Sequence, residues 1–392
     1  MAQAKESLSI DEARRVALLA QGLRGARAKG GVSSMLRRLG AVQLDTIAVL
    51  ARSHELVAYA RLGAIGRAQV ERAYWGPRSS TFEYWSHAAC VVPLEDWPLF
   101  AFRRRLFLAK GRRWHGLEPR VRDKFGAEVV ARLRAEGPLT ANGLGGAKKG
   151  GAWWDWSETK ITAEWLIDIG KLVCRERRGF QRVYDLAERA VPPELLAQDP
   201  SDDECAVSLI GAAGNALGVA TEADLSMYHG VPRAMVRRAV AETELVAVSV
   251  EGWTRPAYAH PAALALLGTR TRERSVMLSP FDSLIWFRDR VERLFGLRHR
   301  LEAYTPKEKR VYGYFAMPVL GGRRIVGLVD PARRDDSLVA KQVTLLLPGG
   351  VSHVAAALEE AASWVGCNRV ALERVEPAAA RSELESMLRN AS

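Results

Sequence analysis

The spacing of apolar positions changes several times along the chain, and each change marks an element. Ser9 and Glu12 stand three apart, the pattern of a capping box, and Ala13, Val16, Ala20 and Leu23 then recur at helical intervals. A helix is predicted there. A second, shorter helix is predicted over Val32–Leu39, stopping at Gly40. The next ten residues, AVQLDTIAVL (Ala41–Leu50), are short-range apolar and rich in Val and Ile. Their first half is predicted as a strand or extended segment, although a helix could begin after Asp45.

Farther on, Gly137-Pro138-Leu139-Thr140 reads as a helix start and is followed by a Gly/Lys loop, Gly143–Gly151. A tryptophan-bearing helix comes next (Trp153, Trp154, Trp156, Trp165), then two strands, Lys171–Arg178 and Phe180–Leu186, joined at Gly179. Helix, helix, basic hairpin is the order of a winged helix-turn-helix. A weaker copy runs from Ser208 to Tyr258, with helices at Glu222–Tyr228 and Pro232–Ala241 and a hairpin at Leu245–Tyr258. A further copy in the first ~100 residues would make a tandem array. The C-terminal part turns β-rich at Tyr312–Pro318, Arg323–Val329 and Gln342–Leu347, with a last helix at Val354–Val365 and a short strand near Arg369–Leu372. That pattern fits a small barrel or an open sheet.

Length and charge add a partner to this picture. At 392 residues the chain exceeds what one core holds, so two to four domains are expected. Lys and Arg number 57 against 45 Asp and Glu, a formal net charge of +12, which favours an anionic partner. The basic residues cluster at Arg103–Arg113, on the proposed wing at Lys171–Arg182, and between Arg270 and Arg310. The four cysteines lie far apart and have neither disulfide nor zinc spacing. The N-terminus has no signal-peptide core and no apolar run approaches a membrane span, so a cytoplasmic, nucleoid-associated protein is expected, without a membrane partner.

The chemistry is harder to place. HExxH, Walker A and GxSxG motifs are absent, and neither metal nor cofactor is expected. Gln43-Leu44-Asp45 remains. On a strand Gln43 and Asp45 would share a face while Leu44 enters the core; on a helix they would diverge. A carboxylate beside an amide suits hydrolysis of a glycosidic bond whose leaving group is already cationic. The competing reading makes Asp45 the cap of a helix beginning at Thr46.

Seven further segments bear on the choice: GAVQLDTIAVLARSHELVAYARLG (Gly40–Gly63), FEYWSHAACVVP (Phe82–Pro93), GGAWWDWSETK (Gly150–Lys160), RRGFQRVYDLAERAVP (Arg177–Pro192), LSPFDSLIWFRDRVERLFG (Leu278–Gly296), KRVYGYFAMPVL (Lys309–Leu320) and GLVDPARRD (Gly327–Asp335). Through them the sequence resembles the YcaQ-like winged-helix DNA glycosylases, bacterial enzymes that excise N7-alkylated purines and unhook interstrand crosslinks. The resemblance implies an α+β fold of tandem winged helix-turn-helix domains with a C-terminal β-barrel, divided at 1–120, 121–200, 201–268 and 269–392. It places the family's catalytic motif on Gln43 and Asp45, with Asp45 matching the broader-specificity repair branch. One departure is Phe287, where many relatives are acidic.

A monomeric, monofunctional enzyme acting on double-stranded DNA with alkylated or crosslinked purines follows. Arg52, His54, Lys148, Lys149, Arg177, Arg178, Arg288, Lys309 and Arg310 are its expected DNA contacts. Asp282 is a second carboxylate candidate, with a turn or cap role the stronger reading. The rival function is a winged-helix transcription regulator without catalysis.

Overall fold

The computed structural model describes residues 7–25, 30–76, 78–110, 118–146, 157–271 and 273–389. The Trp153–Trp156 tract, Lys148 and Lys149 lie outside them. The chain is a mixture of helices and small sheets that divides into two units: Met1–Val70 with Ile210–Ser392, and Glu71–Leu209.

In the first unit the expected capping box forms. The Ser9 hydroxyl accepts the Glu12 amide, the Glu12 carboxylate accepts the Ser9 amide at 2.9 Å, and the helix Ile10–Ala20 follows. Helix Gly31–Leu39 stops at Gly40, whose φ of 67° is the left-handed conformation that ends helices. The helices Glu222–His229 and Arg233–Ala241 appear where the sequence puts them. Strands Val246–Val250 and Ala257–Ala259 pair antiparallel, and Ser7–Leu8 adds to the outer edge in parallel.

The C-terminal sheet corrects the expected barrel: it is open. Its order is Ser275–Met277, Met317–Gly321, Arg324–Arg334, Ser337–Leu345, Arg369–Leu372, with Val375–Glu376 also joined to Ser337–Leu345. The first four strands are antiparallel neighbours, but Arg369–Leu372 lies parallel to Ser337–Leu345, reached through helix Val351–Trp364. Val354, Ala357, Leu358 and Ala361 of that helix are buried in the same apolar cluster as the sheet's Val319, Leu328 and Val343. A helix therefore covers the face that a barrel would have to close around, and the end strands need not meet.

The Tyr312–Pro318 strand predicted from sequence is mostly a loop. The Glu302 carboxylate accepts the amides of Val311, Tyr312 and Gly313, and Asp330 accepts those of Tyr314 and Phe315. These amides would otherwise pair with a neighbouring strand.

The second unit holds two hairpins. Thr81–Trp85 pairs with Ala89–Pro93, and Leu172–Arg178 pairs with Gln181–Leu186, which also carries the short strand Leu139–Thr140. Gly179 (φ 55°) and Phe180 (φ 64°) make the turn of the second hairpin, both left-handed as in a type I′ turn. Helix Glu158–Asp168 starts at the cap Ser157.

One carboxylate organises this unit. Glu83, 1% exposed, receives Arg177, Arg182 and the Trp75 indole N–H, while Glu164 takes the other side of Arg182 and the Tyr184 hydroxyl. Burial alone would raise the Glu83 pKa. The two guanidinium groups overcome it and lower the value to about 2 from 4.5. The stabilisation is thus complete above pH 4.5 and is lost as pH falls toward about 2. Glu83→Gln leaves Arg177 without its counter-charge and Arg182 with Glu164 alone, and is expected to cost about 3–5 kcal/mol in urea unfolding. It should also flatten the acid dependence of stability in that window. A variant as stable as the parent at neutral pH would contradict this account.

Candidate active site

The segment between the second helix and the helix Ser53–Leu62 carries the motif. Val42–Gln43 is a short strand, and Leu44–Asp45 continues without regular structure. Exposure alternates through it: Val42 and Leu44 are buried, Gln43 and Asp45 half-buried. That is the strand-like alternation, with the amide and carboxylate residues both outside the apolar face.

No helix starts at Thr46. The Asp45 carboxylate instead accepts the Ile47 amide at 2.8 Å, an Asx turn, and the chain runs irregularly to Arg52. Ile47 and Val49 then pack against the large apolar cluster of the first unit.

Ser53 fixes the geometry. Its hydroxyl donates to the Gln43 carbonyl at 2.8 Å and accepts the Asp45 amide at 3.0 Å, so one fully buried oxygen holds the backbone on both sides of Leu44. Nothing in the sequence reading singled out Ser53. Its only appearance there is as one letter of the segment Gly40–Gly63.

Burial raises the Asp45 pKa, against the Ile47 and Thr46 amides, which favour the charged form. Among the described residues no Lys, Arg or His pairs with this carboxylate.

The expected DNA contacts are dispersed. Arg52 is half-exposed at the cap of Ser53–Leu62, its amide bonded to Glu55 at 2.7 Å, whereas His54, two residues on, is fully buried. Arg177 is turned into the Glu83 network and lies 4.2 Å over the Phe180 ring. Arg178 is exposed and paired with Glu176 at 2.8 Å. Arg288 is exposed at the start of helix Arg288–Phe295, directly after Phe287 at its cap. Lys309 is exposed, and half-buried Arg310 donates to the Thr305 carbonyl at 2.8 Å and lies over the Tyr314 ring.

Much of the basic run at Arg103–Arg105 is used internally. Arg103 bonds the Ser86 carbonyl at 2.6 Å, Arg104 the Trp97 carbonyl at 2.9 Å, and Arg105 pairs with Asp199 and Asp202. Asp282, the other carboxylate candidate, is fully buried against Arg61 at 2.6 Å and caps the Leu284 amide. It is a structural group.

The family described as "DNA glycosylase AlkZ-like" matches residues 36–364, a span that includes the motif, all of the second unit and most of the first. The chain belongs to this DNA glycosylase family. Among solved structures, the Streptomyces sahachiroi DNA glycosylase AlkZ superposes with a TM-score of 0.66 at 21% identity, over 94% of this chain and all of that one. At that identity the likeness establishes the shared fold. Family membership makes the chain an enzyme acting on DNA, and the regulator reading falls away. No described helix is long and apolar enough to cross a membrane.

Ser53→Ala removes both bonds that hold the motif backbone. The expected loss is about 1–2 kcal/mol of stability, from two net hydrogen bonds and a buried amide left unpaired. The measurement is the urea midpoint, together with faster hydrogen exchange at the Asp45 amide. Unchanged exchange there would show that the loop is held by other means.

Proposed function

We propose that this DNA glycosylase hydrolyses the N-glycosidic bond of N7-alkylated purines, including crosslinked ones, with Asp45 and Gln43 as its reacting groups. The observation that carries the reading is a half-buried carboxylate that has no cationic partner among the described residues, in a chain of net charge +12.

A purine alkylated at N7 already bears positive charge, so its departure needs no general acid. As the C1′–N9 bond lengthens, positive charge builds on the sugar. An unpaired Asp45 carboxylate stabilises that oxocarbenium-like centre and accepts a proton from the attacking water. Gln43, beyond Leu44 on the same backbone, positions the water or sugar through its amide. An arginine beside Asp45 would cancel the field that this step needs. The products are the free base and an abasic site, with no lyase step, metal or cofactor. A base tethered to both strands cannot swing out of the duplex, so a site on a half-exposed segment suits crosslinked substrates.

The winged-helix reading and the four-part division at 120, 200 and 268 belong to this proposal. Support comes from helices Glu222–His229 and Arg233–Ala241 followed by the hairpin strands Val246–Val250 and Ala257–Ala259. The hairpin Leu172–Leu186, preceded by helix Glu158–Asp168, supports it as well. Exposed Arg178, Arg288 and Lys309 remain the better phosphate contacts of the original set. Such an enzyme works as a monomer.

The test is base release from duplexes carrying N7-methylguanine or a defined interstrand crosslink. Asp45→Asn should lower single-turnover release by about 10²–10³-fold with little change in duplex affinity, the scale set by losing one preorganised electrostatic contact. Because burial raises the Asp45 pKa, the acid limb of the wild-type profile should lie above the ~3.9 of an ordinary aspartate, with activity rising as the group ionises. The limb should vanish in Asp45→Asn. Equal rates in both proteins would remove Asp45 from the mechanism.

A further inference from the structure

The loop Glu302–Val311 is closed on its own stem. Thr305 N–H donates to the Glu302 carbonyl at 2.9 Å, Lys309 N–H to the Pro306 carbonyl at 3.0 Å, and the Arg310 guanidinium to the Thr305 carbonyl. The Glu302 carboxylate closes it by accepting the Val311, Tyr312 and Gly313 amides. A ten-residue segment tied this way is a compact loop with close ends rather than a slack connection.

Its side chains point the other way. Tyr304 is 86% exposed and Val311 62% exposed, the two most exposed large apolar residues of the described chain. Lys307 and Lys309 are exposed around them with Arg300 on the adjoining stretch, where Arg298 is paired with Glu292, and Glu308 is the one exposed acid between Arg298 and Val311. The half-buried Glu302 carboxylate is bonded to those three backbone amides. An aromatic ring held out on a fastened loop and ringed by cations matches a polyanion that also offers flat, stackable faces.

We propose that Tyr304 is a wedge that inserts beside a base pair of double-stranded DNA, with Lys307 and Lys309 on the flanking phosphates. The proposal rests on the DNA substrate that family membership gives, and not on the roles assigned to Gln43 and Asp45. The loop springs from the same unit as the Gln43–Asp45 segment: Leu301, Tyr312 and Tyr314 at its base pack on the apolar cluster that also receives Ile47 and Val49. Distortion of the duplex and the reacting groups are thereby carried by one body. For a base that cannot leave the stack, unstacking its neighbour is the remaining way to open the glycosidic bond to water.

The experiment uses the full chain and a short duplex containing one 2-aminopurine, whose fluorescence rises when it is unstacked. Wild-type protein should raise that fluorescence on binding. Tyr304→Ala should abolish the rise and weaken binding by about fivefold or more, the lower end of the loss for one stacked ring. Tyr304→Trp should restore both. Lys307→Ala with Lys309→Ala should keep the fluorescence rise at saturation while lowering the slope of log affinity against log salt by roughly two. Because Tyr304 is barely packed, its thermal midpoint serves as a fold control and should not move. Tyr304→Ala that unstacks and binds like wild type overturns the proposal. So does self-association that Tyr304→Ala abolishes while DNA binding stays intact, which would assign the ring to a protein contact. Base release measured in parallel separates the two claims: wild type that frees no N7-methylguanine refutes the proposed function and leaves the fluorescence result to judge the loop.

Discussion

A buried guanidinium ties together distant parts of the first unit. Arg61, at 2% exposure, donates to both Asp282 oxygens, to the Gln21 carbonyl and side chain, to the Val57 carbonyl and to the Ser283 hydroxyl. Such a pair is tolerated inside a protein only when every donor is met, and here each is. The consequence is positional. Gln21 ends the first helix, Asp282 and Ser283 lie in the turn after the first strand of the open sheet, and Arg61 sits near the end of the helix that Ser53 begins. Three stretches far apart in sequence are locked around one cation. The Ser53 hydroxyl transmits that rigidity to the backbone of Gln43 and Asp45. The role proposed for Asp45, on an otherwise irregular segment, needs such an anchor, since stabilisation of a developing charge depends on a group already in place.

The same demand explains what became of the positive charge. The sequence reads +12 as a surface feature, yet many of its arginines are internal fasteners. Arg290 reaches the Leu217 and Val219 carbonyls, Arg293 clamps Asp224, Arg175 bonds the Ser79 and Ala190 carbonyls, and Arg177 and Arg182 converge on Glu83. A planar group with five donors is suited to gathering carbonyls from separate elements, and lysine is not. Exposed cations such as Arg178, Arg288, Lys307 and Lys309, rather than the runs of basic letters, are therefore the proposed phosphate contacts.

What was legible in the sequence was local. The Ser9–Glu12 box, the stop at Gly40, the turn at Gly179 and the helix pair near Glu222–Ala241 are each decided by residues within a few positions of one another. What was missed depended on distant partners. Glu83 lies 94 and 99 residues from the arginines that define it. The Tyr312–Pro318 stretch has a strand's composition, but Glu302 and Asp330 claim its amides. Closure of the C-terminal sheet turned on where one helix packed, which no strand pattern encodes. The Gln43–Leu44–Asp45 alternation was readable, whereas Ser53 as its brace was not, because a serine opening a helix is ordinary.

The buried acids differ in what meets their charge, and the role proposed for Asp45 turns on that difference. Glu83, Glu164, Asp224, Asp282 and Asp330 each meet an arginine or lysine, so their charge is spent on folding. Asp96 has no cation among its influences either, but burial and the neighbouring Glu95 raise its pKa to about 7, so near neutrality it is only partly ionised. Asp45 differs from both groups. Burial raises its pKa too, but the Ile47 and Thr46 amides oppose that rise by bonding to the ionised form. Neutral donors preserve a carboxylate without cancelling its field, as a guanidinium would. Backbone amides on the carboxylate, and no arginine, lysine or histidine paired with it among the described residues, are what the role proposed for Asp45 asks of its surroundings.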